Sequence, residues 1–93
     1  GADLAFADPP YALVDEPEER ERFRSLLSRL DSEGALRKGA WLVVEHRAST
    51  ELKAPMGFTF DEKRHYGQTA LSFFTTQRDV SSSQLSTRNP QLP

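Results

Sequence analysis

Apolar residues fall along this chain in blocks of different period, separated by polar stretches that carry proline and glycine. The first block, Leu4-Ala5-Phe6-Ala7, is short and continuous, which predicts a buried strand over residues 3–7. Pro9 and Pro10 end it, because proline cannot donate to a sheet ladder. A helical period follows: Phe23, Leu26, Leu27 and Leu30 stand at i, i+3, i+4 and i+7 and form one apolar stripe. Asp15 or Glu16 is placed to cap this helix, and Pro17 suits its first turn. Glu16, Glu18 and Glu19 complement its N-terminal dipole. Gly34 predicts the C-terminal cap, and Arg37-Lys38-Gly39 a turn.

The next block, Ala40-Trp41-Leu42-Val43-Val44-Glu45, is rich in strand formers and lacks alternation, which predicts a strand buried on both faces, as in parallel sheets. Strand, amphipathic helix and buried strand make one βαβ unit. Phe58-Thr59-Phe60 opens a third strand that extends toward Tyr66. Gly67-Gln68 reads as a turn, and residues 69–76, with Ala70, Leu71, Phe73 and Phe74, as a fourth strand. Together these elements predict an α/β fold, a βαβ unit followed by an antiparallel β-hairpin. One amphipathic helix is too little to cover both faces of such a sheet. One face, and the edge of the first strand, therefore call for further material, as expected of half a domain.

Composition narrows the picture. The chain has 93 residues, enough for one small domain or part of a larger one. Residues 79–93 are dominated by Ser, Gln, Pro and Thr and read as a disordered tail, leaving residues 1–78 to build the fold. A formal net charge of −2 gives no nucleic-acid footprint, and the basic residues between Arg20 and Lys38 are interspersed with acids as on a solvated helix face. There is no cysteine, which removes thiolate chemistry and disulfides. No apolar run approaches the ~20 residues that span a bilayer. A cytoplasmic protein without a membrane partner is the expectation.

The candidate chemistry sits where the first strand ends, at Asp8-Pro9-Pro10-Tyr11. Average residue usage would produce this tetrapeptide at about one position in 10^5. The C-terminal end of a strand is also where open α/β sheets bind ligands. A strand running into Asp-Pro-Pro-aromatic resembles the catalytic signature of S-adenosylmethionine-dependent methyltransferases that act on exocyclic amines of nucleobases. Such an amine is a poor nucleophile because its lone pair is delocalised into the ring. Two acceptors on its two N–H groups localise that pair, and the Asp8 carboxylate and the Pro9 carbonyl can be those acceptors. Pro10 restricts Pro9 to extended geometry, so the Pro9 carbonyl is held in place. Tyr11 offers a ring on which a splayed-out base can stack.

Three blocks resemble the RsmD family more closely. They are residues 4–11, then Trp41-Leu42-Val43-Val44-Glu45-His46, then Arg64-His65-Tyr66-Gly67-Gln68-Thr69-Ala70-Leu71-Ser72-Phe73-Phe74. The resemblance implies the C-terminal half of a Rossmann-like class I methyltransferase fold. It implies methyl transfer from S-adenosylmethionine to a guanine amine in small-subunit rRNA, with the rRNA or the small ribosomal subunit as partner. Asp8 and Pro9 would then be catalytic, and Pro10 and Tyr11 would hold the base. The chain departs from the family in one respect: its five glycines include no closely spaced set in a strand-to-helix turn. The donor site is therefore expected mostly outside this chain, in the missing N-terminal half of the same domain.

Other readings of the same residues differ in class. The tetrapeptide is shared with methyltransferases acting on adenine or cytosine amines of DNA or RNA. A non-catalytic remnant serving as an interaction module would use the open sheet edge instead. His46 and His65 are two histidines without a third ligand motif, so they read as surface or hydrogen-bonded groups rather than a zinc site. Arg64 could touch phosphate, although a hairpin arginine is more often solvated.

Overall fold

The computed structural model describes residues 1–77. They form β1 (Ala2–Ala7), α1 (Tyr11–Asp15), α2 (Pro17–Ser32), β2 (Leu36–Arg47), β3 (Phe58–Tyr66) and β4 (Thr69–Thr76). The four strands make one sheet in the order β1-β2-β4-β3. β1 and β2 are parallel, with Phe6 opposite Val43 and Ala7 opposite Val44. A parallel pair needs a long crossover, and α1 and α2 supply it. β4 lies antiparallel between β2 and β3, closing the predicted hairpin around Gly67. Gly67 has φ 63°, a left-handed value that suits glycine in a tight turn. The expected βαβ unit and C-terminal hairpin are thus both present. The expected tail, residues 79–93, lies outside the described residues.

The helices cover one sheet face only. Leu42, Val44 and Phe74 point into a core completed by Val14 of α1, Phe23 and Leu27 of α2, and Leu52 and Phe58. On the opposite face Leu4, Phe6 and Trp41 remain 59%, 58% and 40% exposed, so β1, at the sheet edge with one face uncovered, is not the buried strand its continuous apolar run predicts. Trp41 there meets Phe73 edge-to-face at 6.3 Å. The sequence expectation of burial on both faces therefore holds for Val43 and Val44 but not for Trp41.

Three local readings are corrected. Leu26 is 57% exposed, so the α2 stripe is narrower than its spacing suggests. The helix rests on a single sheet, and Leu26 lies on the flank beyond that contact. The N-terminus of α2 has Glu16 at the cap position and Pro17 at the first helical position, but no side chain caps it. The Asp15 carboxylate is held elsewhere, by Arg47 and Thr50.

The turn expected at Arg37-Lys38-Gly39 is instead a bulge inside β2. Ala2 pairs with Leu36 but Leu4 with Trp41, so β2 carries extra residues between those two pairings. Gly39 takes φ 84° there. The Thr76 hydroxyl fixes the bulge, accepting from the Gly39 and Ala40 amides at 2.5 and 3.0 Å and donating to the Arg37 carbonyl at 3.0 Å. Gly34 does terminate α2 as expected. Its amide bonds the Asp31 carbonyl and the Ala35 amide bonds the Leu30 carbonyl, the pair of bonds that a left-handed glycine after the helix permits.

Candidate active site

The C-terminal end of β1 delivers Asp8-Pro9-Pro10-Tyr11 to the rim of the sheet, beside the end of β2 and the start of β4. Asp8 and Pro10 are exposed, and Pro9 and Tyr11 are half-buried. Pro10 has φ −56° and ψ 141° and stands at the N-cap of α1. Its carbonyl accepts the Leu13 amide at 3.0 Å. No backbone donor among the described residues takes the Pro9 carbonyl. The loop thus presents an exposed carboxylate and, next to it, a carbonyl with unused acceptor capacity.

α1 was not anticipated, because five residues show no period. Val14, fully buried, pins it to the core. The Arg20 guanidinium ties it to α2 by donating to the Val14 and Asp15 carbonyls at 3.0 and 3.3 Å. Tyr11 and Asp15 stand one helical turn apart and so share a face. Arg47, the last residue of β2, meets both: its guanidinium carbon lies 4.7 Å from the Tyr11 ring centroid, and its Nε donates to Asp15 Oδ2 at 2.9 Å. Thr50 donates to Asp15 Oδ1 at 2.5 Å. The Thr50 hydroxyl and Arg47 together hold the Asp15 carboxyl below the usual carboxylate range. Tyr11 Oη and Thr69 Oγ1 form a hydrogen bond of 2.5 Å.

The sequence marks neither Arg47 nor Thr50, and it presents Asp15 only as a helix cap and Thr69 only as part of the hairpin. The one signal for them was the four-residue interval between Tyr11 and Asp15; the other partners come from distant elements.

The two histidines are well apart in character. His46 is fully buried, with Nε2 at 2.7 Å from Ser72 Oγ and Nδ1 at 2.9 Å from the Arg47 carbonyl. Because a carbonyl only accepts, Nδ1 carries the proton and Nε2 receives the Ser72 hydroxyl. Burial pushes the His46 pKa below its ordinary value. His65 is exposed on β3. Arg64 pairs with Glu62 and its guanidinium lies 5.3 Å from the Phe73 ring centroid. No group of three potential metal ligands occurs among the described residues.

Residues 1–75 match the sequence profile of the family described as conserved hypothetical protein 95, the family of the RsmD enzymes. The chain belongs to this family. No curated protein sequence matches it significantly. Among solved structures, a provisionally assigned methylase from Haemophilus influenzae superposes with a TM-score of 0.61 at 20% identity, over 82% of this chain and 43% of its own. A conserved hypothetical protein from Streptococcus pyogenes gives 0.64 at 19% identity, over 91% and 48%. A provisionally assigned methyltransferase from Escherichia coli gives 0.58 at 20%, over 83% and 39%. This family member therefore has a partial Rossmann-like methyltransferase fold and spans less than half the length of those structures.

The family fold implies S-adenosylmethionine, but the residues described do not build a cradle for it. Gly34 follows a helix, Gly39 sits in a bulge, Gly57 precedes β3 and Gly67 turns the hairpin. None opens a helix after a strand, where backbone amides gather around a nucleotide.

Proposed function

We propose that this chain is the substrate-holding half of an S-adenosylmethionine-dependent methyltransferase for the exocyclic amine of a guanine in small-subunit rRNA. The observation that carries the reading is the pair of free acceptors at the end of β1: the exposed Asp8 carboxylate and the Pro9 carbonyl, with the neighbouring Pro10 carbonyl already committed to Leu13. Two acceptors side by side take the two hydrogens of a planar amine and direct its lone pair out of the base plane. Rigid positioning of this type contributes several kcal/mol of barrier lowering. Tyr11, half-buried and two residues after Pro9, offers a ring that supports stacking of an extruded base. Family membership and the methyltransferase-type fold support the class; the guanine and rRNA assignments rest on the resemblance in three sequence blocks.

Donor binding falls to an N-terminal half docked on this chain. The exposed Leu4, Phe6 and Trp41 face and the free edge of β1 are the surfaces it would cover. So is the apolar groove beside that edge, lined by Ala7, Leu26, Leu30 and Ala35. The methyl group is supplied from that half, while Asp8, Pro9 and Tyr11 hold the acceptor.

Methyl transfer to rRNA and to single-stranded DNA by a protein joining both halves tests the reading. Asp8→Ala should lower transfer at least about 10^2-fold with donor affinity nearly unchanged. Near-normal turnover of Asp8→Ala would sink the assignment of the motif. Preferred methylation of adenine or cytosine would keep the mechanism and change the substrate.

A further inference from the structure

Arg47 stands outside the Asp-Pro-Pro-Tyr motif, yet its guanidinium packs on the motif's tyrosine. Its guanidinium lies over the Tyr11 ring at 4.7 Å, and its Nε is fixed by Asp15 at 2.9 Å. Asp15 is in turn fixed by Thr50, and the Tyr11 hydroxyl by Thr69. The ring is therefore held at its tip and across one face by groups from β2, β4 and the segment after β2. Tyr11 and Arg47 are both only partly buried, so this order is maintained at an open rim rather than by core packing.

We infer that Arg47 is a positioning residue that makes Tyr11 a one-sided stacking platform. With one ring face occupied by the guanidinium, the base has a single face on which to lie. A planar cation draws on the π electrons of the ring, which favours stacking of an electron-rich purine on the opposite side. The Asp15 carboxylate, itself bonded by Thr50, holds Nε while the rest of the guanidinium lies over the ring, two contacts that a single lysine ammonium does not reproduce. Arg47 acts through Tyr11 and touches neither the amine nor the methyl group. The inference rests on the proposed base-stacking role of Tyr11.

The test is a double-mutant cycle in the protein joining both halves, with a short single-stranded RNA bearing an unpaired guanine as substrate. Arg47→Met should raise the KM for RNA about 10-fold, with a smaller change in kcat and unchanged donor affinity. In a Tyr11→Ala background the same substitution should have less than a 2-fold effect, because the platform it orients is gone. Arg47→Lys should resemble Arg47→Met rather than the parent, and its cycle is read in place of the first if Arg47→Met fails to fold. Equal losses in both backgrounds, or a parent-like Arg47→Met, would overturn the inference. If Tyr11→Ala alone leaves RNA methylation intact, the stacking reading fails first, and that outcome is distinct from failure of Arg47.

Discussion

Tyr11 Oη and Thr69 Oγ1 lie 2.5 Å apart although 58 residues separate them in sequence. The bond joins the loop that carries the candidate acceptors to the first residue of β4, so the hairpin is part of what holds the motif in place. The sequence assigns a role to the Tyr11 ring and none to its hydroxyl. The structure gives it a partner. Tyr11→Phe and Thr69→Val should each cost about 0.5–1.5 kcal/mol of stability. The double variant should cost less than the sum. Urea denaturation of all three checks this, and full additivity would show that the hydroxyls do not interact.

Thr76 is 2% exposed and its hydroxyl serves two amides and a carbonyl of the β2 bulge. Thr76→Val keeps the shape and removes all three bonds, leaving the Gly39 and Ala40 amides without an acceptor. A loss of about 1–3 kcal/mol is expected. Thermal unfolding measures it, and a change below about 0.5 kcal/mol would mean that water takes over the role of the hydroxyl.

Burial of His46 makes stability depend on pH in a defined direction. The folded-state pKa is lowered, so the unfolded chain binds the proton more readily as pH falls below the ordinary histidine value of 6.5. Stability from this group is complete above that value and declines as pH drops toward the folded pKa. Asp15 is also lowered, and its contribution persists down to its unfolded value of 3.8 and is lost below it. Denaturation midpoints should therefore fall in two separate acid windows. His46→Gln should flatten the upper one and leave the lower; an unchanged slope between pH 7 and 5 would contradict the assignment.

Leu26 and Leu27 are adjacent in α2 and differ in environment, at 57% and 4% exposed. Leu27→Ala should cost about 2–5 kcal/mol. Leu26→Ala should stay within about 0.5 kcal/mol for the chain by itself. It should weaken docking of a donor-binding half, since Leu26 lines the groove beside β1. Pull-down of the separately expressed half reads that second effect, and undiminished capture would place the docking surface elsewhere.

The chain alone should bind S-adenosylmethionine negligibly, because none of the positive-φ glycines shapes a nucleotide cradle. Adding the other half should restore donor binding and raise the unfolding temperature together. Calorimetric titration decides the matter: micromolar binding by residues 1–93 alone would place the donor site within this chain.

Local sequence was enough for elements whose signal is periodic or carried by special residues. Leu4-Ala5-Phe6-Ala7 before two prolines marked β1, the spacing of Phe23, Leu27 and Leu30 marked α2, and Gly67-Gln68 marked the hairpin turn. The loop at Asp8-Pro9-Pro10 was legible as the end of β1 because proline restricts its own backbone and that of its neighbour, whatever the fold. Three-dimensional packing decided the rest. Arg37-Lys38-Gly39 has the composition of a turn, but a buried hydroxyl 37 residues after Gly39 holds it in a strand. Leu26 satisfies the helical period but is exposed because no second layer among the described residues packs on its side of the helix. Arg47 carries no motif; it reaches Tyr11 because strand pairing brings the ends of β1 and β2 to the same rim. Periodicity and backbone restriction are properties of neighbours in sequence, whereas the surroundings of Tyr11 depend on contacts between residues dozens of positions apart, which only the folded chain brings together.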